Sequence, residues 1–474
     1  MKELNSSMLI ERFFTPGLAQ VAYAIADQEA GVAAIIDPRR DVDAYLRWAE
    51  AHEVRIEAIF ETHVHADFVS GARELAEATD APIRVSRRGE QLFATDYLDD
   101  GDDVPVGSLR LTALATPGHT PEHIAFLLFD PKHGSEPIAL FSGDALFVGE
   151  VGRPDLLGEA QTLDLARQLY RTVQRLKELD DALIVYPGHT AGSSCGKKIG
   201  DAPTTTIGQE NLANYAFNAK SEEEFIEKVL AGMSIPPTYY PVLKQVNKVG
   251  PTLLRDLSTG TPLSTQAVRE MVESGALIID ARTPAAFGAG HIVGAHFAGL
   301  GPDFTAWTGW LAPYDRDVIL VLERDDQYAE ARTELHRIGL DRISGYLAGG
   351  MAAWDGERTA LAQVGAEELA SRNRIRNDEL VVLDVRSDEE WQQGHITGAV
   401  HQFAGELARR GSPLVVADTP AAVICGSGYR STVVASLLEA QGYRHLVNVT
   451  GGMDAWGAAG LPEERGDLLR KNGD

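Results

Sequence analysis

Short apolar runs recur along the chain, separated by polar and glycine-rich stretches, and predict a protein rich in short strands. In the first half these runs share an ending. Ile56 to Phe60, Leu109 to Leu114, Ile138 to Phe141 and Ala182 to Tyr186 each lead, within a few residues, to a His or an Asp. In the second half the grammar changes. Two segments each open with a β-rich apolar run, return to a second one (Val318 to Leu322; Ala421 to Ile424) and pass into a helical-looking stretch, which predicts α/β units with parallel sheets.

The second-half segments are copies of one another. Leu277 to Ala295 reads LIIDARTPAAFGAGHIVGA and Val381 to Ala399 reads VVLDVRSDEEWQQGHITGA, so that Asp280 pairs with Asp384 and His291 with His395 at an offset of 104. Gly349-Gly350-Met351 with Trp354 answers Gly451-Gly452-Met453 with Trp456 at an offset of 102. A period near 100 residues is a domain duplication, not a solenoid. The turn-rich stretch Gly250 to Pro262 reads as the connection between the halves, with a second connection near Gly356 to Gly365. The expected domains are 1–255, 256–362 and 363–474, in keeping with a prior of roughly 150 residues per domain.

Composition narrows the classes of function. The chain carries 69 acidic and 43 basic side chains, a formal charge of −26, so phosphate-rich polymers and anionic membrane surfaces would be repelled. No nucleic-acid or membrane partner is expected. The N-terminus lacks an uninterrupted apolar region behind a basic start, and no stretch approaches 18 consecutive apolar residues, which points to a cytoplasmic protein. With two cysteines, Cys195 and Cys425, in different expected domains, neither a disulfide framework nor a thiolate cage is available. Each is instead a possible reactive thiol.

The chemistry-bearing cluster follows the run Ile56 to Phe60. In Glu61-Thr62-His63-Val64-His65-Ala66-Asp67, three potential ligands alternate, and in an extended segment they would share one face. The other runs deliver Pro117-Gly118-His119, Gly143-Asp144 and Pro187-Gly188-His189. Any one of these histidines alone reads as a hydrogen-bonded or surface residue. If the strands are neighbours, four segments bring His and Asp to one rim, which points to a metal.

The order HxHxD, PGH, GD, PGH resembles the metallo-β-lactamase superfold, an αββα sandwich, across roughly residues 8 to 250. Within it the likeness is greatest to persulfide dioxygenases and their glyoxalase II-type relatives. One departure is informative: two-metal hydrolases of this fold have HxHxDH, and here the last position is Phe68. The resemblance then implies a mononuclear centre of His63, His119 and Asp144, with His65, Asp67 and His189 as supporting groups that orient the ligands. Two histidines and one carboxylate form the facial triad of non-haem Fe(II) oxygenases, so Fe(II) is expected. The alternative is that Phe68 is a neutral packing change in a zinc hydrolase. By the same resemblance Arg153, within Phe147 to Asp155, would meet an anionic thiol substrate, or form an ordinary surface salt bridge. Cys195, in Thr190 to Lys198, is read as a substrate-binding thiol activated by Lys197 and Lys198, or as an inert loop cysteine.

In the second copy the run Ala421 to Ile424 ends at Cys425, followed by Gly426-Ser427-Gly428-Tyr429-Arg430-Ser431 and a helical-looking segment. A cysteine on a tight loop at a helix N-terminus meets backbone N–H groups and the positive end of the dipole, both favouring thiolate. The pattern Cys-x4-Arg, with DVR…GHI and the GGM…W close, resembles rhodanese sulfurtransferases over the whole repeat, implying catalysis by Cys425 and Arg430 within the loop Gly426, Ser427, Gly428 and Tyr429. In the first copy the 102-residue offset sets Glu323 opposite Cys425 and Tyr328 opposite Arg430, implying an inactive, pseudo-rhodanese spacer.

The fold class expected is therefore α/β multidomain: a metallo-β-lactamase αββα sandwich followed by two rhodanese-like α/β domains with parallel sheets. The whole arrangement resembles bacterial fusions of a persulfide dioxygenase with a sulfurtransferase. That resemblance implies a small-molecule thiol persulfide, O2 and sulfite as partners, sulfite and then thiosulfate as products in sulfide detoxification, and a homo-oligomer. A zinc-dependent thioester hydrolase of glyoxalase II type with attached sulfurtransferase domains is the alternative.

Overall fold

The computed structural model describes residues 8–374, 380–411 and 413–466. The chain forms two compact units, 1–257 with 336–339, and 258–335 with 340–474. Among the described residues no helix is long and apolar enough to cross a membrane.

The first unit is built on two six-stranded sheets. One runs in chain order through Met8–Thr15, Gln20–Asp27, Val32–Ile36, Arg55–Phe60, Ile83–Ser86 and Asp96–Leu98. The other is ordered Thr205–Thr206, Ile184–Pro187, Ala139–Gly143, Ile124–Phe129, Leu109–Ala115 and Asp103–Val106. Side-chain size along Gln20–Asp27 explains the layering. Val21, Tyr23 and Ile25 enter the core between the sheets, where they join Phe60, Phe126 and Phe141, while Ala22, Ala24 and Ala26 face helices Asp43–Ala51 and Ala72–Thr79. Period-two alternation sends large residues one way and small ones the other, so a helix can close on the alanine face. The second sheet buries its outer face against helices Glu159–Leu176 and Glu222–Leu230. The result is the expected αββα sandwich.

The four ligand-bearing segments come from both sheets. Arg55–Phe60 belongs to the first, whereas Leu109–Ala115, Ala139–Gly143 and Ile184–Pro187 belong to the second, with Ile124–Phe129 between the first two of these. The rim on which they meet is therefore an edge of the sandwich, not a run of adjacent strands. Residues 61–68 are also irregular loop rather than a continued strand, so His63, His65 and Asp67 are not held by a strand's alternation.

In the second unit each repeat forms a five-stranded parallel sheet of identical topology. The first is ordered Thr261–Leu263, Ile343–Leu347, Val318–Val321, Leu277–Asp280, His296–Phe297, and the second Ala362–Gly365, Leu446–Thr450, Ala421–Ile424, Val381–Asp384, Val400–His401. The repeated sequence letters turn out to be structural. Arg282 pairs with Asp280 at 2.7 Å and donates to Gly290 O at 2.8 Å, and Arg386 pairs with Asp384 at 2.7 Å and donates to Gly394 O at 2.7 Å. His291 stacks on Phe287 and His395 on Trp391, both at 3.6 Å.

Strand register corrects one sequence alignment. Asp280 pairs with Val321 and Asp384 with Ile424, so the residue after each strand is Leu322 in the first repeat and Cys425 in the second. Gly350 and Gly452 crowd the carbonyls of these same two residues. Leu322, not Glu323, occupies the position of Cys425; an extra residue on either side of Leu322 shifts the offset, which the GGM-based alignment could not register.

The repeats share a core in which Phe287, Phe297, Trp307 and Leu361 pack with Leu383, Val423 and Cys425. Phe297 N–H donates to Ser436 Oγ at 2.9 Å, and its ring meets Phe287 and Tyr429 edge-on at 5.3 Å. Phe297→Ala should cost about 3–5 kcal/mol by opening a cavity in this common core. Urea denaturation should show the two repeats losing stability together, because they bury the same side chain.

Candidate functional site

At the rim of the first unit, His63, His119 and Asp144 bring one ligand atom each within 4.8 Å of one another, and all three are buried. His119 Nε2 lies 3.5 Å and His63 Nε2 3.9 Å from Asp144 Oδ2. The protonation of these groups follows from acceptors that have no choice. Thr62 Oγ1 donates to Asp37 Oδ2 at 2.8 Å, so it must accept from His63 Nδ1 at 2.9 Å. The carbonyl of Arg153 likewise accepts from His119 Nδ1 at 2.9 Å. Both rings therefore turn an Nε2 lone pair toward Asp144. Burial, reinforced by neighbouring imidazoles, holds His63 well below its usual value, and burial also lowers His119, so both are neutral donors.

Asp144 is divided between two tasks. Its Oδ1 accepts from His189 Nδ1 at 2.7 Å, and His189 Nε2 donates to Asp67 Oδ2 at 2.7 Å. Two carboxylates can only accept, so His189 carries both protons. Although burial opposes the charge, Asp144 and Asp67 raise His189 well above its usual range. The imidazolium in turn outweighs burial and keeps Asp144 ionised, far below the ordinary carboxylate range. Asp144 Oδ2 and His63 Nε2 are buried polar atoms without a hydrogen-bond partner. Orphaned acceptors of this kind converging on one point, with a two-nitrogen, one-oxygen donor set, fit a divalent metal ion.

The other predicted residues fall in different places. His65 lies beside His63, ring centroids 4.2 Å apart, but its Nε2 faces Asp37 Oδ1 at 3.1 Å and its ring packs on Phe68 at 4.3 Å. Burial alone would lower His65; Asp37, Glu61 and Asp67 push it up to about 9. Asp67, His189 and Cys195 form a second group of possible donors within 4.8 Å, yet both nitrogens of His189 are already spent on carboxylates.

Arg153 is fully buried rather than facing a cleft, paired with Asp155 through two 2.7 Å bonds and donating to Ser194 O and Ser234 O. Its contact with the site is through its backbone carbonyl, which holds His119. Cys195 is buried with Phe147 and Ile199, and burial with the fields of Asp67 and Asp144 raises its thiol well above the usual range, opposite to the activation expected from Lys197 and Lys198.

Several residues of the site went unread in the sequence. Asp37 ties together Thr62 and His65, and it ends the apolar run Val32–Ile36 in the same manner as the other ligand-bearing runs. His123 stacks on His63, accepts the Asp144 N–H at 3.0 Å and is pushed down to about 3 by burial, so it stays neutral. Its signal was its place four residues after His119. Glycines make the close approach possible: a Cβ on Gly152 would stand 1.9 Å from Asp144 O, and one on Gly188 2.8 Å from Asp144 Oδ1.

In the second unit Cys425 is buried at the end of its strand, and its Sγ accepts the Gly428 N–H at 3.1 Å with Ser431 Oγ at 3.4 Å. Helix Tyr429–Ala440 starts there, and helix Gly452–Ala458 closes from the other side through Met453 N–H to Cys425 O at 2.8 Å. Gly426, Ser427 and Gly428 form the loop, with Gly428 at φ 102°, a conformation that favours glycine. Arg430 lies beside Gly426 and forks onto Glu390 at 2.6 and 2.7 Å, which outweighs burial and brings that carboxyl down to about 2. Tyr429 turns away and donates to Gly299 O of the first repeat at 2.8 Å.

Metal titration distinguishes holders from supports. His119→Ala should abolish stoichiometric metal binding, whereas His189→Gln should keep one metal per chain and weaken it about 10–100-fold by freeing Asp144.

Comparison with known proteins agrees with this geometry. The chain matches the metallo-beta-lactamase superfamily over residues 15–189 and the rhodanese-like domain over residues 264–357 and 366–459. It is 30% identical over 217 residues to the "Probable metallo-hydrolase" of Burkholderia pseudomallei, covering 38% of this chain and 72% of that one. It is 31% identical over 184 residues to a hydroxyacylglutathione hydrolase of Francisella philomiragia, covering 38% and 68%. Among solved structures, a metallo-beta-lactamase from Staphylococcus aureus is similar with a TM-score of 0.67 and 36% identity, covering 72% of this chain and 99% of that one. This chain belongs to the metallo-beta-lactamase superfamily and is an enzyme in which that domain is followed by two rhodanese-like domains.

Proposed function

We propose that the chain oxidises a low-molecular-weight thiol persulfide with O2 and then transfers sulfane sulfur through Cys425. The observation that carries this reading is the donor set His63, His119 and Asp144, with Phe68 packed on His65 where two-metal relatives place a further histidine. One ion held by two nitrogens and one carboxylate oxygen keeps positions open, which suits Fe(II) rather than a closed zinc site. Bound there, Fe(II) supplies the redox chemistry with O2.

The overall conversion balances as RSSH + O2 + H2O → RSH + SO3²⁻ + 2H⁺. The chain's own residues prepare it. His189 fixes one oxygen of Asp144 and leaves the other free, His123 and Arg153 O set the pose of Asp144 and His119, and Phe68 keeps an apolar face against His65. At the second centre Cys425 takes the outer sulfur of another persulfide and releases RSH. Sulfite then takes that sulfur from the cysteine persulfide, giving thiosulfate and the free thiol. The first repeat has Leu322 in this place and no thiol, so we read it as non-catalytic. The cytoplasm is the compartment this reading suits, and tethering the second centre raises the sulfite concentration it meets.

Hydroxyacylglutathione hydrolases among the relatives favour a second reading, a zinc-dependent thioester hydrolase. Assay with S-lactoylglutathione separates the two.

The iron-loaded protein should consume O2 with glutathione, coenzyme A or cysteine persulfide, and His119→Ala should reduce consumption to background; no consumption with any of the three rejects the oxygenase reading. Cys425→Ser should leave sulfite as the end product. Thiosulfate formed by that variant at the wild-type rate would refute a separate transfer step.

A further inference from the structure

Helix Tyr240–Val249 lies against the metal-bearing loop, and Asn247 fixes it there. Asn247 Nδ2 donates to His65 O at 2.9 Å and to Phe68 O at 2.7 Å, while its Oδ1 accepts the Ser70 N–H at 2.9 Å. Tyr240, Lys244 and Asn247, spaced four and three apart, lie on one face of this helix. The face that Asn247 pins to residues 65–70 is thus the face that carries Lys244.

Lys244 Nζ is sealed from solvent and makes no hydrogen bond among the described residues. A buried, unpaired ammonium is costly, and lysine is almost never buried without a partner. The groups that feel its charge say where it sits. Its electrostatic neighbours are the metal-holding His63 and His119, together with Glu122 and Cys195. Burial lowers Lys244 itself, and Glu122 only partly offsets this. One oxygen of that carboxylate, Oε1, accepts the Val64 N–H at 3.0 Å. A metal on His63, His119 and Asp144 would add more positive charge nearby. A sealed ammonium within electrostatic reach of a bound cation calls for an anion between them.

We infer that Lys244 is the anion receptor of the metal cleft, holding the anionic terminal sulfur of the substrate and the sulfur oxyanion it becomes. This deepens the persulfide reading and rests on it. It assigns specificity to a residue on the helix beyond the ligand loops, and it makes Lys244 a substrate contact rather than a metal ligand.

The test uses the full-length metal-loaded protein with sulfite as the probe, in wild type, Lys244→Met and Lys244→Arg. Lys244→Met should weaken sulfite binding, measured by calorimetry, at least about tenfold and raise KM for the persulfide more than it lowers kcat. Metal content and unfolding midpoint should stay at wild-type values, and Lys244→Arg should restore most of the affinity. Equal sulfite affinity and KM in wild type and Lys244→Met would overturn the inference, and so would a Lys244→Met protein whose sulfite loss follows lost metal. If the wild type consumes no O2, the persulfide reading fails by itself; if it consumes O2 while Lys244→Met is unchanged, only the role of Lys244 fails.

Discussion

Asp144 can present one oxygen outward only because His189 holds the other, and the first unit's rim is organised around that division. A lone buried carboxylate would take up a proton; paired with an imidazolium at 2.7 Å it stays charged. The imidazolium exists because Asp67 accepts its second proton, so the Asp67–His189–Asp144 chain is one electrostatic object. His63 and His119 complete it from the other side as neutral rings whose tautomers are set by Thr62 and the Arg153 carbonyl. Remove any one partner and a buried charge or an unpaired donor is left behind, which is far more costly than losing an ordinary contact.

The backbone serves the same end. Gly152 and Gly188 let neighbouring loops close on Asp144 to distances that any side chain would forbid, and Asn247 anchors a later helix to the same loop. The second unit solves a different problem with a simpler device. Cys425 ends a parallel strand at the start of a helix, so the Gly428 N–H reaches its sulfur, with the part-buried Arg430–Glu390 pair on the same loop. The duplicated partner keeps the same sheet, the same Asp–Arg clamp and the same stacked histidine while placing Leu322 where the sulfur would be. Fold and chemistry are separable here.

How much could be read in advance varied with the physics involved. Apolar runs ending in His or Asp pointed to the rim, because strand periodicity and ligand chemistry are both local, whereas the αββα layering came only from the resemblance that the motif order carries. His123 and Asp37 escaped notice because a hydrogen bond across 21 or 25 residues leaves no periodic trace. The fate of Arg153 was also non-local: a carboxylate two residues away and two carbonyls from distant loops claim its guanidinium.

By itself, then, the sequence determined the duplication, the cysteine at the strand end and the residue kinds gathered at the rim, since these depend on pattern and composition, and its motif order carried the resemblance that implied the domain types. Tertiary structure decided the rest. It chose which nitrogen of each histidine is free, made Cys195 a thiol raised by burial and by its carboxylate neighbours, shifted the register to Leu322, and sealed the Lys244 ammonium away from any hydrogen-bond partner among the described residues. Each of these depends on distances between residues far apart in the chain, and burial and Coulomb energy respond to distance alone.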